Sequence, residues 1–463
     1  MPRARWWVVG ALSLVTASVV VLDLTGVIFQ GSEAPDPPQP LVLPAVADAD
    51  PTLSSPVIPE KSAAQRPDLA AIRRVERILG REDLGRSVHA QVVPLADPSL
   101  TWLQLQPDAP VTPASTLKLW TAIATLDASP QQHTLVTAVK WDESRGTLVL
   151  VGAGDATIET RPARRSGVAS LTDLARQTAK SLKRSDAASG RISLNYDTSL
   201  FSGPAVSPAW EPTYVSSGVI APVTALMVDQ GAVSPPALAR YADPALGATQ
   251  RFAELLEQRG VSIRSEHRSV KVDNQTSGAD EIGSVESPPM IDLVERMLRD
   301  SDNQLAEALG RLTAAEAGQP ASFSGAARAM AASAQSRGVA LDGNTIGDAS
   351  GLSRDTRLPT SSLAAALSIA AVEPELAPVL SGLAVGGFDG TLSDRFTTAP
   401  SDEAAGIIRA KTGTLTGISA EAGITETCDG VLVAYAFVAD ATADTELARD
   451  ALDDAAAALS TCP

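Results

Sequence analysis

From residue 67 on, the spacing of apolar positions switches between a helical and a strand period. PDLAAIRRVERILG (67–80) repeats its apolar residues every three to four positions and predicts a helix. RSVHAQVVPL (86–95) and SLTWLQLQPD (99–108) alternate and predict strands. After a turn containing Pro110 and Pro113, STLKLWTAIATLDA (115–128) predicts a second helix. TAVKWDESRGTLVLVGAGD (137–155) predicts a β-hairpin and LTDLARQTAKSLKR (171–184) an amphipathic helix. GRISLNYDTS (190–199) and GVSIRSEHRSVKV (260–272) predict strands, with the helix PALGATQRFAELLEQRG (244–260) between them. From residue 288 the pattern is helical: MIDLVERMLRDSDNQLAEALGRLTAAEAG (290–318), SGAARAMAASAQSRG (324–338) and TSSLAAALSIAAVE (360–373). GIIRAKTGTLTGISAEAGITETCDGVLVAYAFVAD (406–440) carries two or three strands with a turn at Cys428-Asp429-Gly430, and TELARDALDDAAAALS (445–460) is a closing helix.

The first and last thirds each supply strands and helices that are incomplete alone. The architecture this predicts is α/β: one discontinuous domain made of residues 67–136 and 288–463, with a smaller α/β domain, 137–287, inserted into it. Residues 1–29 stand apart. Arg3 and Arg5 precede an uncharged run from Trp6 to Leu22, the mark of export across a membrane. The small-x-small site at 32–34 is followed by Pro35, and the one at 45–47 lies far downstream, so an uncleaved signal anchor is preferred over a signal peptide. Residues 30–66 are rich in Pro, Ser and acids and read as an extended linker. The folded part is thus expected outside the cytoplasm. There, the two cysteines, Cys428 and Cys462, are expected to form one disulfide.

Composition narrows the function. Of 463 residues 44% are hydrophobic and 20% charged, which suits a globular core, and the net charge of −17 argues against a nucleic-acid partner. The three histidines, His89, His133 and His267, have no zinc-protease spacing, and there is no G-x-S-x-G elbow. Lysine is scarce, 7 against 30 arginines, yet a lysine stands in PASTLKLW (113–120) three residues after Ser115. Three apart on a helix, Ser115 and Lys118 share a face. A serine hydroxyl is a weak nucleophile until a base takes its proton, and a desolvated lysine can be that base where arginine cannot. Taken alone, the pair also fits an ordinary surface Ser and Lys, but it is the chain's one S-x-x-K. DSDNQLAEAL places Ser301, Asp302 and Asn303 in a turn between helical segments, suited to proton relay and amide recognition or to simple N-capping. AKTGTLTGISA puts Lys411, Thr412, Gly413 and Thr414 at the start of a strand: a cation and hydroxyls suit a carboxylate, and the glycine allows close approach, although a surface turn would look similar.

In order, these are S-x-x-K, S-D-N and K-T-G, the three signatures of penicillin-binding proteins and serine β-lactamases. LVGAGDATI (150–158), LNYDTSLF (194–201), APVTALMVD (221–229), DASGLSRDTRL (348–358) and GGFDGTLSDRF (386–396) sharpen the likeness. Over residues 67 to 440 the chain resembles the D-alanyl-D-alanine carboxypeptidase/endopeptidase family, the low-molecular-mass class C penicillin-binding proteins. The resemblance implies a transpeptidase-like fold and hydrolysis of peptidoglycan stem peptides through an acyl-serine. Ser115 would be the nucleophile, Lys118 its base, Ser301 the proton shuttle and Lys411 its tuner. Asn303 would hold the substrate peptide, and Thr412 and Thr414, beside Gly413, its terminal carboxylate. β-Lactams would acylate the same serine, and no metal or other cofactor is required.

Two departures from the family accompany this likeness. Only 182 residues separate Lys118 from Ser301, short for the family, which predicts one inserted domain in place of two. Relatives also carry an acid a few residues after a Trp to read the substrate's free amine. In AWEPTYVSSG that place falls at Thr213 or Tyr214, leaving Glu211 as the nearest substitute. The alternatives are an exported serine β-lactamase and a catalytically inactive cell-wall binding protein.

Overall fold

The computed structural model describes residues 67–162, 167–184, 190–272, 279–341 and 344–462. The expectations for the export segment and linker lie outside these. The first helix, α1 (Leu69–Leu79), starts where Asp68 accepts the amide of Ala70 at 2.7 Å. Strands β1 (Ser87–Pro94) and β2 (Leu103–Leu105) follow, the second shorter than its alternation predicts. Then come α2 (Lys118–Ala128), β3 (Val136–Asp142), β4 (Thr147–Val151), α3 (Leu171–Arg184), β5 (Ser193–Asp197), α4 (Pro244–Glu257) and β6 (Asp280–Glu286). The remaining elements are α5 (Met290–Arg299), α6 (Asn303–Glu316), α7 (Phe323–Ser336), α8 (Thr360–Val372), α9 (Ala377–Ser381), β7 (Ala384–Val385), β8 (Arg409–Leu415), β9 (Ile418–Glu426), β10 (Leu432–Asp440) and α10 (Thr445–Ser460).

Two sheets result. The larger has the order β2-β1-β10-β9-β8-β7, so the two ends of the described chain meet: Ser87 faces Asp440 and Pro94 faces Val433 across the β1–β10 pair. Both faces of this sheet are covered. On one, α1 and α10 bury Val75, Leu79, Leu452 and the alanines of α10 against Tyr435 and Phe437. The other face carries α2, α5, α6 and α8. Covered on both sides, β10 reads as a nearly continuous apolar run, whereas β9 keeps an alternating pattern and buries Ser419, Glu421 and Thr425 among its apolar residues. The helix α2 is buried all round, from Lys118 to Thr125.

The smaller sheet, β5-β4-β3-β6, comes from the middle of the chain and has its own core around Leu148, Leu174, Phe252 and Ile263. Its β4 and β5 are parallel and joined through α3. Two sequence expectations change here. Residues 260–272 form no regular strand: their ladder pairing is limited to isolated bridges, Ile263 with Ile192 just before β5 and Ser269 with Tyr196 in it, supplemented by side-chain hydrogen bonds such as that of the Val272 amide to Asp197. An unforeseen strand, β6, pairs with β3 at the edge.

Cys428 and Cys462 are joined by a disulfide with Cα atoms 5.2 Å apart, tying the β9–β10 turn to the end of α10. Closing the 34-residue separation stabilises by about 3–4 kcal/mol in the chain-entropy model. Cys462→Ser is expected to lower thermal stability by that order while leaving acylation kinetics at moderate temperature as in wild type. A melt unchanged from wild type would contradict this.

Candidate active site

The S-x-x-K pair does not open an α-helix directly. Residues Ala114–Leu117 form a 3₁₀ turn that feeds into α2, and Ala114 takes a left-handed φ of 46°. Non-glycine residues rarely adopt that region, and it persists here because the surroundings fix it. Lys118 is fully buried. Its Nζ donates to Ser115 Oγ at 2.9 Å, Asn303 Oδ1 at 2.8 Å and the carbonyl of Ser350 at 2.6 Å. Burial pulls its pKa down from 10.5 to about 8, against the opposing pull of Asp348, Glu307 and Asp302. Such an ammonium gives up its proton near neutrality and leaves a base beside Ser115.

The second motif sits where α5 breaks and α6 begins. Ser301 is left-handed, with φ 54°, and Asp302 caps α6 by accepting the amide of Leu305 at 3.0 Å. This break turns the Ser301 hydroxyl to Lys411, whose Nζ lies 2.9 Å away and also donates to the carbonyl of Thr412 at 2.7 Å. Lys411 is fully buried, and its pKa lies well below the usual lysine value because of burial and then the nearby positive charges of Lys118 and Arg395.

The third motif is β8. At Gly413 a Cβ would stand 2.9 Å from the carbonyl oxygen of Pro113 and 3.0 Å from the Ser115 amide nitrogen, so the strand abuts the peptide of Ser115 only because a side chain is missing. Thr412 Oγ1 donates to Thr391 Oγ1 at 2.8 Å, while Thr414 is exposed. Of the two hydroxyls, that of Thr414 is the one open to solvent.

Behind Lys118 lies a group of residues that the three motifs do not announce. Glu307 on α6 accepts the amides of Ala349 and Ser350 at 3.1 and 2.9 Å. Asp348 accepts the amides of Gly351 and Ser353 at 2.8 and 2.7 Å and the indole of Trp210 at 2.8 Å. Together they hold the 348–353 turn so that the Ser350 carbonyl meets Lys118. Burial, then the charge of Asp348, pushes the Glu307 carboxyl up to about 8. Asp348, surrounded by N–H donors, is the better anion of the two, and Glu307 is the one that takes a proton. The sequence signal was the stretch 348–358, quoted above only for its resemblance. Glu307 has no signal beyond an acid on a helix.

Glu211 follows the buried Trp210 on an exposed loop. Its carboxylate pairs with Arg354 Nε at 3.2 Å, and Arg354 Nη2 donates to the carbonyl of Thr416 at 3.0 Å, just beyond Thr414. Glu211 is therefore linked to the K-T-G end of the site, with part of its charge already answered.

A model of the D-Ala-D-Ala carboxypeptidase 3 (S13) family matches residues 71–239 and 232–460. A carboxypeptidase of Mycobacterium tuberculosis is 33% identical over 409 residues, 86% of either chain. Carboxypeptidase DacB of Mycolicibacterium smegmatis is 33% identical over 467 residues, 98% of this chain and 96% of that one. In fold, the chain resembles the crystal structure of penicillin binding protein 4 from Haemophilus influenzae, with TM-score 0.67 at 20% identity over 83% of this chain and 97% of that one.

Proposed function

The chain belongs to the D-Ala-D-Ala carboxypeptidase 3 (S13) family and is a serine-type D-Ala-D-Ala carboxypeptidase; on that premise we propose that Ser115 is the residue acylated. The observation that carries the assignment is the 2.9 Å contact between Ser115 Oγ and the buried amine of Lys118. Lys118 Nζ takes the hydroxyl proton as Oγ attacks the carbonyl of the penultimate D-Ala. Ser301, 2.9 Å from Lys411, passes a proton to the departing amine. The amides of Ser115 and Thr414 receive the developing oxyanion, at roughly 3 kcal/mol per donor. Water then releases the acyl group. A β-lactam presents the same carbonyl and is proposed to acylate the same serine. Cross-linked peptides, cut between D-Ala and a diamino acid, are the second proposed substrate.

The test is a peptide mass map after incubation with a β-lactam, beside release of D-Ala from a pentapeptide. An adduct on Ser115 and loss of both activities in Ser115→Ala are expected. An adduct on another serine would refute the assignment.

The middle sheet with its separate core supports reading residues 137–287 as one inserted domain. The apolar run after Arg3 and Arg5 supports a signal anchor that leaves the enzyme outside the membrane, facing the cell wall. Glu211 is proposed to read the free amine of the substrate's diamino acid. Because Arg354 already answers part of its charge, Glu211→Gln is expected to raise KM for amine-bearing peptides only about three- to fivefold, with kcat kept. Peptides with the amine capped should change less. An equal change for both peptides would remove Glu211 from this role.

A further inference from the structure

The turn that carries Ser301 is held from outside its own two helices. Residues 219–231, from the middle of the chain, reach all three positions that follow Ser301. Gln230 Nε2 donates to Asp302 Oδ2, Asn303 Nδ2 to the carbonyl of Val219 at 3.5 Å, and the Ala221 amide to Gln304 Oε1 at 2.9 Å. Asp302 is central to this set. One of its oxygens accepts the Leu305 amide at 3.0 Å and so caps α6, while the other takes Gln230. Arg296 stands 3.7 Å from that second oxygen, beyond hydrogen-bond reach. The neighbour of Asp302 in the chain is the left-handed Ser301, whose hydroxyl meets Lys411.

The backbone that delivers Gln230 is costly. Asp229, Gln230 and Gly231 have φ of 49°, 54° and 73°, three left-handed residues in succession. That conformation costs a non-glycine residue about 1–2 kcal/mol, and it persists only where the surroundings over-determine it. Several contacts do so here. Asp229 accepts the amide and the hydroxyl of Thr160 through its two oxygens. The Gly231 amide donates to the carbonyl of Val228 at 2.9 Å, and the carbonyl of Gln230 accepts Arg240 Nη1 at 3.3 Å. A Cβ on Gly231 would stand only 2.7 Å from that of Ala221, so the turn packs directly on the segment that meets Gln304. Moving Gln230 to a negative φ would redirect its Cβ and take its amide off Asp302.

We propose that Gln230 is a positioning residue for departure of the leaving group: by holding Asp302 it fixes the Ser301 turn, and with it the hydroxyl that protonates the scissile nitrogen. The inference rests on the carboxypeptidase reading above, with Ser301 as proton shuttle. In that reaction Ser115 Oγ bonds to the acyl carbon and the carbon–nitrogen bond breaks. The proton that Lys118 took from Ser115 is delivered through the Ser301 hydroxyl to the nitrogen. An amide needs this delivery, because its nitrogen does not leave as an anion. A thioester does not, because a thiol of pKa about 8.5 leaves as the thiolate. A displaced Ser301 therefore slows amide cleavage and spares thioester cleavage, whereas a general loosening of the site slows both.

The test compares kcat/KM of the full chain on an N-acyl peptide ending in D-Ala–D-Ala and on its analogue with sulfur in place of the scissile nitrogen. Gln230→Met keeps the side-chain length and removes the donor. It is expected to lower kcat/KM for the amide about ten- to thirtyfold, mainly in kcat, and for the thioester less than about twofold. Gln230→Lys offers Asp302 an ammonium and should stay within about threefold of wild type on both. Gln230→Gly removes the side chain while relieving the left-handed strain, so it carries the test even if Gln230→Met does not fold, and the same selective loss is expected. Equal losses on the two substrates, or no loss, in Gln230→Gly overturn the proposal. So does a Gln230→Lys as selectively impaired as Gln230→Gly. Ser301→Ala sets the reference and should be selective too. If it impairs both substrates equally, the shuttle reading fails and the proposal with it. If it is selective and Gln230→Gly is not, only the role of Gln230 fails.

Discussion

Lys118→Arg is expected to be as inactive as Lys118→Ala, with acylation of Ser115 slowed at least about a thousandfold in both. The change keeps a positive charge, so an electrostatic role would survive it. A base role would not, because a guanidinium stays protonated throughout the working range. The geometry makes the substitution harsher still. Lys118 is fully enclosed, and its amine meets three acceptors on three different segments, Ser115, Asn303 and Ser350. A planar fork does not reproduce that convergence, and a buried guanidinium missing some of its partners adds a desolvation cost.

The same assignment fixes a pH profile. With Lys118 titrating near 8, the neutral fraction falls about tenfold for each pH unit below that value. The second-order rate of β-lactam acylation is therefore expected to rise almost tenfold between about pH 6 and 7, and to level off only above about pH 8. Glu307 is also pushed up to about 8, so the limb has two possible owners. Glu307→Gln separates them. If Glu307 owned the limb, the profile would flatten. If Lys118 owns it, the limb persists with little displacement, since a Glu307 that holds its proton below about pH 8 is already neutral there. A rate independent of pH between 6 and 8 in wild type, or an active Lys118→Arg, would end the base assignment.

The parts of this site that were legible in the sequence are those written in contiguous residues. S-x-x-K, S-D-N and K-T-G each compress a chemical function into three or four positions, and the periodicity around them places each at the mouth of a helix or strand. The same periodicity located α3 and α10 to the residue, because each is amphipathic or flanked by clear breaks. What escaped was long-range. Ser350 reaches Lys118 across 232 residues of chain, and nothing near Ser350 says that its carbonyl will be used. Glu307 looks like any acid on an α-helix, yet every residue from Gln304 to Thr313 around it is buried, so its charge has no solvent to face. The strand β6 escaped because DEIGSVE is polar and pairs on one side only. Residues 260–272 failed in the opposite sense: their composition suits a strand, but their pairing with β5 stops at isolated bridges.

Gly351→Ala is expected to cost acylation at least about a hundredfold although residue 351 touches no reacting atom. Gly351 has φ +81°, and a Cβ there would stand 1.9 Å from the carbonyl oxygen of Ala114 and 3.0 Å from the amide nitrogen of Ser115. Backbone lies behind both contacts, so no side chain can swing aside. The turn that presents Ser350 must move away from the nucleophile, or the 3₁₀ turn bearing Ser115 must shift. Either movement breaks the Ser115–Lys118–Ser350 convergence. An error of about 1 Å at a reacting group is enough for a hundredfold loss. The φ penalty alone would be about 1 kcal/mol of stability, and the clash should raise the total to about 3 kcal/mol or more. Gly338→Ala supplies the control. Gly338 has φ +76° but nothing within 4 Å of its would-be Cβ, so it isolates the backbone term. That variant is expected to lose only about 1 kcal/mol in a denaturant melt and to acylate like wild type. If Gly351→Ala acylated as fast as Gly338→Ala, the close packing of the 348–353 turn against Ser115 would have no part in positioning the nucleophile.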